Sequence, residues 1–262
     1  MTFVVVPQWQ GSPSSRAMRL AEGAEAIRSD LPSSSTRLVE VPLEAGDAQG
    51  SGIARLSSLR AVRERMSHEL GTADSPAIVI GGDCAVSAAA IAHVATDDLA
   101  VVWFDAHPDL NTPSTSPSGA FAGMVLASLV EDGTVDATRV VVAGAREWDA
   151  PEVDFAAEKG VTSLTVAQLA DAEAVAEAVA ATGARRVYVH IDLDVLDPPE
   201  FLGLLEPIPF GVGTSQLVAV VKALVARLPL AGATIASFAP ESAATAVDDA
   251  PTILRLIAAL RG

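Results

Sequence analysis

Trp103-Phe104-Asp105-Ala106-His107-Pro108-Asp109 directly follows the apolar run Leu99-Ala100-Val101-Val102, and this stretch decides how the chain is read. A buried strand needs no carboxylates, so an abrupt change from continuous apolar residues to Asp, His and Asp at alternate positions marks a strand end that carries chemistry. Strand parity places residues i, i+2 and i+4 on one side, which predicts that Asp105, His107 and Asp109 converge. A second segment, His190-Ile191-Asp192-Leu193-Asp194, closes the run Arg186-Val187-Tyr188-Val189 in the same way. Carboxylates two apart at the ends of buried strands repel one another unless cations neutralise them. With an imidazole and mostly oxygen donors, the set suits Mn(II) or a similarly hard ion, and two ions about 3.5–4 Å apart could share bridging carboxylates.

Working outward, short β-rich runs recur at Phe3 to Val6, Arg37 to Val41, Ala77 to Ile80, Leu99 to Phe104, Arg139 to Ala143, Val161 to Thr165, Arg186 to Ile191 and Ala233 to Phe238. Between them lie helically spaced segments, including Ser15 to Ser29, Ile53 to Leu70, Ala85 to Ala95, Val166 to Ala181, Thr214 to Ala226 and Pro251 to Leu260. This alternation predicts a three-layer α/β fold, helices on both faces of a mainly parallel sheet of about eight strands. Ligands of open α/β sheets collect at the carboxyl ends of strands, where Asp83, Cys84, the two Asp-rich clusters, Arg146 to Glu152 and Glu241 all fall. No Pro/Gly/Ser-rich linker divides the 262 residues, which are read as a single domain, 1–262.

Composition narrows the partners. The net charge of -16 disfavours nucleic acid and anionic membranes and favours cationic small molecules or divalent cations. The apolar segment near the start is too short for a secretory core or a membrane span, so the chain is expected to be soluble and cytoplasmic. Its single cysteine, Cys84, excludes an internal disulfide and stands equally as a small buried residue or a ligand. His68 and His93, on helical stretches, and the turn at Asp197-Pro198 are read as structural, while Glu241 is open between loop and site residue.

Four segments in order, Gly-Gly-Asp-Cys at 81–84, Trp103 to Pro113, Ser118 to Met124 and His190 to Pro198, resemble the ureohydrolases: arginase, agmatinase, formiminoglutamase and relatives. The resemblance runs closest to arginase-like proteins and implies an arginase-like fold. It also implies a binuclear-metal hydrolase in which a metal-bridging hydroxide attacks a guanidinium or amidino carbon and cleaves a C–N bond. By position, Asp105 and Asp192 would bridge two divalent ions. Asp109 would complete one shell, with Cys84 at the place of a usual His ligand, and His107 with Asp194 would complete the other. Mn is the expected metal, with Zn, Co, Fe or Ni admitted by the softer Cys84. Asp109 would also hold the attacking hydroxide, Glu241 the guanidinium, Asn111 and Ser118 a substrate carboxylate, and Asp149 and Glu152 an α-amino group. Ala122 occupies the place of the family's proton-shuttling His, implying slow turnover or a catalytically impaired member that binds metal, ligand or a partner. His190 is a candidate replacement acid or a support for the metal ligands. The family's usual homo-oligomers are expected here as well.

Overall fold

The computed structural model describes residues 1–73 and 76–262. In chain order the elements are β1 (Thr2–Val6), α1 (Met18–Ser29), β2 (Thr36–Leu38), α2 (Leu56–Gly71), β3 (Ala77–Gly81), α3 (Val86–Val94), β4 (Leu99–Phe104) and α4 (Val125–Glu131). They continue with β5 (Val140–Ala143), α5 (Ala150–Lys159), β6 (Thr162–Leu164), α6 (Ala174–Ala181), β7 (Arg186–Asp192), α7 (Thr214–Arg227), β8 (Leu230–Ala236) and α8 (Ala243–Leu260). Among the described residues the eight strands form one sheet in the order β2-β1-β3-β8-β7-β4-β5-β6. Every pairing is parallel, which makes the expected mainly parallel sheet wholly so.

Period-2 alternation divides the buried side chains into two cores. Val5, Ile78, Ile80, Val102, Phe104, Val189 and Ile235 face one way and pack with residues of α1, α6, α7 and α8. Val4, Val6, Val79, Val101, Trp103, Val142 and Tyr188 face the other way, under α2, α3 and α4. Because both faces are covered, the strands are apolar throughout rather than alternately polar, and β4 is buried along its whole length. Helices thus enclose the sheet from both sides, leaving the strand ends as the place where polar groups can meet.

Several element limits differ from the sequence reading. The segment Val166 to Ala181 breaks into a 3-10 turn at Gln168–Ala170 followed by α6. The terminal helix begins at Ala243 and continues through Pro251, since its apolar face, including Ile253, Leu256 and Ile257, packs on the core and outweighs the one hydrogen bond proline removes. The helices α4 and α5 carry little periodic signal and were not anticipated.

The loop after β3 rests on a close backbone approach. A Cβ at Gly82 would lie 1.9 Å from the Gln8 carbonyl oxygen, while the Asp83 N–H donates to that oxygen at 3.0 Å. Gly82→Ala is therefore expected to destabilise the protein by about 1–3 kcal/mol through enforced displacement of this loop. The check is a urea-unfolding midpoint, and an unaltered midpoint would refute the close approach.

Candidate metal centre

Four central strands, β3, β8, β7 and β4, are neighbours in the sheet and deliver one residue or more each to a common point. Cys84 follows β3, Ser237 follows β8, Asp192 ends β7, and Asp105 follows β4. They line a cavity of about 360 Å³ together with His107, Asp109, Asn111, Ser118, Asp149, Glu152 and Asp194. The expected convergence of the two Asp clusters is thus present, although strand parity is not its cause. β4 stops at Phe104, so Asp105 to Asp109 lie in a loop, and Asp194 sits in a 3-10 turn at Leu193–Val195.

Local hydrogen bonds aim these loop residues. One Asp192 oxygen accepts the Asp194 N–H at 2.8 Å, and one Asp194 oxygen accepts the Ala106 N–H at 2.9 Å. Asp105 accepts the His107 N–H at 2.7 Å and the Trp103 indole N–H at 3.1 Å. Asp109 and Ser237 adopt positive φ, 52° and 69°, a conformation unusual for side-chain-bearing residues and concentrated at functional sites. The Arg146 guanidinium braces the turn by donating to the carbonyls of Asp194 at 2.8 Å and Ile208 at 2.7 Å.

Among the described residues, two groups of side chains have ligand atoms lying within 4.8 Å of one another: Cys84, Asp105, His190 and Asp192; and Asp105, His107 and Asp194. Asp105 belongs to both. Asp109 lines the same cavity, and its Oδ2 is buried without a hydrogen-bond partner. His190 Nε2 is likewise orphaned. Buried polar atoms left unpaired are costly, so two of them beside a ring of carboxylates fit a site that expects cations.

The electrostatics have the same sense. Burial raises Asp105 to about 7, with the Asp194 charge adding to it, and raises Asp83 to about 6. Asp109 and Asp192 are raised as well, first by burial and then by neighbouring carboxylates. Burial also pushes up the Cys84 thiol, which donates to Asp192 Oδ2 at 2.7 Å. His107 Nδ1 lies 3.0 Å from Asp194 Oδ2. Burial alone would lower His107 and raise Asp194, but their mutual attraction overrides it, holding the imidazole well above its ordinary range and the carboxyl at about 2.

The remaining sequence candidates separate. Asn111 Nδ2 donates to Asp149 Oδ2 at 3.0 Å. Glu152 uses both oxygens as backbone acceptors, for Leu110 N–H at 3.0 Å and Asp149 N–H at 2.9 Å, so it holds the loop after β4 rather than presenting a free carboxylate. Ser118 is exposed at the rim. Glu241 is not among the cavity-lining residues. Its side chain is 71% exposed and pairs with Arg19 at 3.6 Å, while the three residues before it, Phe238 to Pro240, are buried. The residue that β8 delivers is Ser237, whose hydroxyl donates to Asp192 Oδ2. Ser237 falls inside the run Ala233 to Phe238 that the sequence marks as a strand, and only the end of β8 at Ala236 makes it a strand-end residue. Glu147 and Glu206 also line the cavity and had no motif to mark them. His68 and His93 are exposed and away from the site, and Asp197 accepts the Gly211 N–H at 3.0 Å.

These shifts give a pH test. Asp83, Asp105, Asp109 and Asp192 have raised folded values, so their contribution to stability is complete below the ordinary 3.8 and is lost as pH rises, through about 6 for Asp83, through about 7 for Asp105 and well above the ordinary range for Asp109 and Asp192. His190, lowered to about 3 by burial, acts oppositely, its contribution being present above 6.5 and lost as pH falls. Four groups outweigh one. In chelator, the thermal midpoint should fall between pH 5 and pH 8, and a divalent cation should raise it more at pH 8. Equal cation shifts at both pH values would count against carboxylate ligation.

Among known proteins, a family model described as "Arginase family" matches residues 13–260. Arginase from Bacillus caldovelox is 32% identical over 225 residues, 75% of this chain and 74% of that protein. Arginase from Bacillus subtilis is 34% identical over 154 residues, 52% of each chain. The crystal structure of Entamoeba histolytica arginase in complex with L-ornithine superposes with a TM-score of 0.87 at 23% identity, covering 100% of this chain and 98% of that one. Matching sequence over nearly the whole chain, joined to the same fold, places this protein in the arginase family.

Proposed function

We propose that the protein is a metal-dependent hydrolase that cleaves a C–N bond of a linear guanidino or amidino compound, using two divalent ions held by Cys84, Asp105, His107, Asp109, Asp192 and Asp194. The observation that carries this reading is the pair of donor groups sharing the buried Asp105, beside the orphaned Asp109 oxygen. Bound ions would supply an activated water and neutralise the carboxylates. Asp109, whose Oδ2 has no hydrogen-bond partner, would accept a proton from the attacking water.

Nine carboxylate residues line the cavity, Asp83, Asp105, Asp109, Glu147, Asp149, Glu152, Asp192, Asp194 and Glu206, with no Lys or Arg among the described lining residues. That field supports a cationic substrate. A delocalised cation is best met by paired carboxylate oxygens. With Glu241 outside the cavity, the free acids of the rim, Glu147 and Glu206, are the better candidates for its polar end. Asn111, Ser118 and Asp149 supply further polar groups to a substrate carrying an amino-acid end. The same proposal includes the cytoplasm and a homo-oligomer. Among the described residues no helix is long and apolar enough to cross a membrane.

A second reading, a binding protein with little or no turnover, is favoured by one observation. Ala122 lines the cavity, and His107, the imidazole among the described lining residues, is paired with Asp194. Protein loaded in turn with Mn, Zn, Co and Ni is to be assayed for urea, formamide or ammonia release from a panel of guanidino and amidino compounds. Slow turnover with at least one metal is expected, abolished by Asp192→Asn. Calorimetric ligand binding without product from any compound would establish the second reading instead. In an active protein, Ala122→His should raise kcat by roughly 10²–10⁴-fold, the usual worth of a positioned general acid.

A further inference from the structure

His190 has a feature that a core histidine does not need. It is fully buried in β7, its ring stacks on Trp103 with centroids 3.5 Å apart and planes 15° apart, and Nδ1 lies 2.8 Å from Ser87 Oγ on α3. Stacking fixes the plane of the ring and Ser87 fixes its rotation. Nε2 is left with no hydrogen-bond partner, 3.9 Å from Asp105 Oδ2. If packing against Trp103 were the only purpose, nothing would account for a polar nitrogen aimed into a carboxylate cluster with no partner.

We infer that His190 Nε2 is a direct metal donor, joining Cys84 Sγ, Asp105 and Asp192 in a sulfur-nitrogen-oxygen site suited to Zn(II) or Co(II) rather than Mn(II). The inference rests on the metal-hydrolase reading and specifies one of its two ions. The four ligand atoms already lie within 4.8 Å of one another, and the set combines thiolate, imidazole and carboxylate as borderline-soft ions prefer, whereas Mn(II) favours oxygen. On binding, the S–Zn bond forms as the Cys84 S–H bond breaks, and the proton leaves to solvent. Ser87 Oγ then accepts from Nδ1–H, keeping the Nε2 lone pair on the ion. Cys84 and His190 act together: sulfur replaces one nitrogen donor, and His190 returns an imidazole from β7, on the far side of β8 from the loop that carries Cys84.

The test uses the full chain loaded with Zn or Co(II). X-ray absorption of the Zn protein should show a sulfur neighbour at about 2.3 Å, absent in Cys84→Ser. Co(II) protein should show a thiolate-to-cobalt charge-transfer band and hyperfine-shifted ring resonances from two histidines, one set of which survives in His107→Ala. Competition should favour Zn over Mn in the wild type, and Ser87→Ala, which leaves His190 in place, should weaken Zn binding by roughly 10–100-fold. Because the His190 signal is read in protein that retains His190, misfolding of a His190→Gln variant cannot decide the matter. An ion bound without sulfur, or with no histidine ring resonance in the His107→Ala protein that still binds metal, overturns this inference and leaves the hydrolase reading standing. Absence of any bound divalent ion overturns both.

Discussion

Mutual repulsion among Asp105, Asp109, Asp192 and Asp194, crowded where water is largely excluded, is the constraint around which the rest of the molecule is arranged. Like charges in such a site either take up protons or take up cations. The protein answers part of the repulsion itself, through His107 against Asp194 and through backbone N–H groups donated to Asp105, Asp192 and Asp194. What it leaves unanswered is an Asp109 oxygen and a His190 nitrogen, both buried and both without a partner.

Holding such a cluster requires a rigid frame, and the parallel sheet supplies it. Strands β3, β8, β7 and β4 stand at its centre, each flanked by another strand and covered on both faces. The side chains behind the cluster serve the same end. Arg146 spends its guanidinium on the carbonyls of the turn that carries Asp194, and Glu152 spends both carboxylate oxygens on the backbone of the loop after β4 and the start of α5. Asp83 does likewise, accepting from the Gln8 amide at 2.8 Å and the Gly11 N–H at 2.7 Å. These polar residues belong to the site's support, which explains why acidic residues at the rim outnumber those free to meet a ligand.

Much of this was legible in the primary structure because apolar runs and their sudden termination are local signals. Eight strands, their parallel arrangement and the meeting of Asp105, His107, Asp109, Asp192 and Asp194 could be read from runs and spacing. The reason offered for that meeting was wrong, since parity ends with the strand, and turns aimed by Asp side chains complete the geometry. Glu241 shows the opposite failure. It stands near a strand end in the chain, yet its side chain is exposed beside Arg19 and does not line the cavity, and a distance of four residues in a loop carries no information about direction.

By itself, then, the sequence determined the period of the core, the α/β class and the residue types gathered at the strand ends, because each depends on neighbours within a few positions. Only the tertiary structure decided which acids are free and which are braces, that Ser237 rather than Glu241 reaches the cavity, and that His190 lies within reach of Cys84. Cys84 and His190 are separated by more than one hundred residues and become neighbours of one site because β3 and β7 flank β8. Strand order sets that proximity, and strand order is a property of the packed sheet.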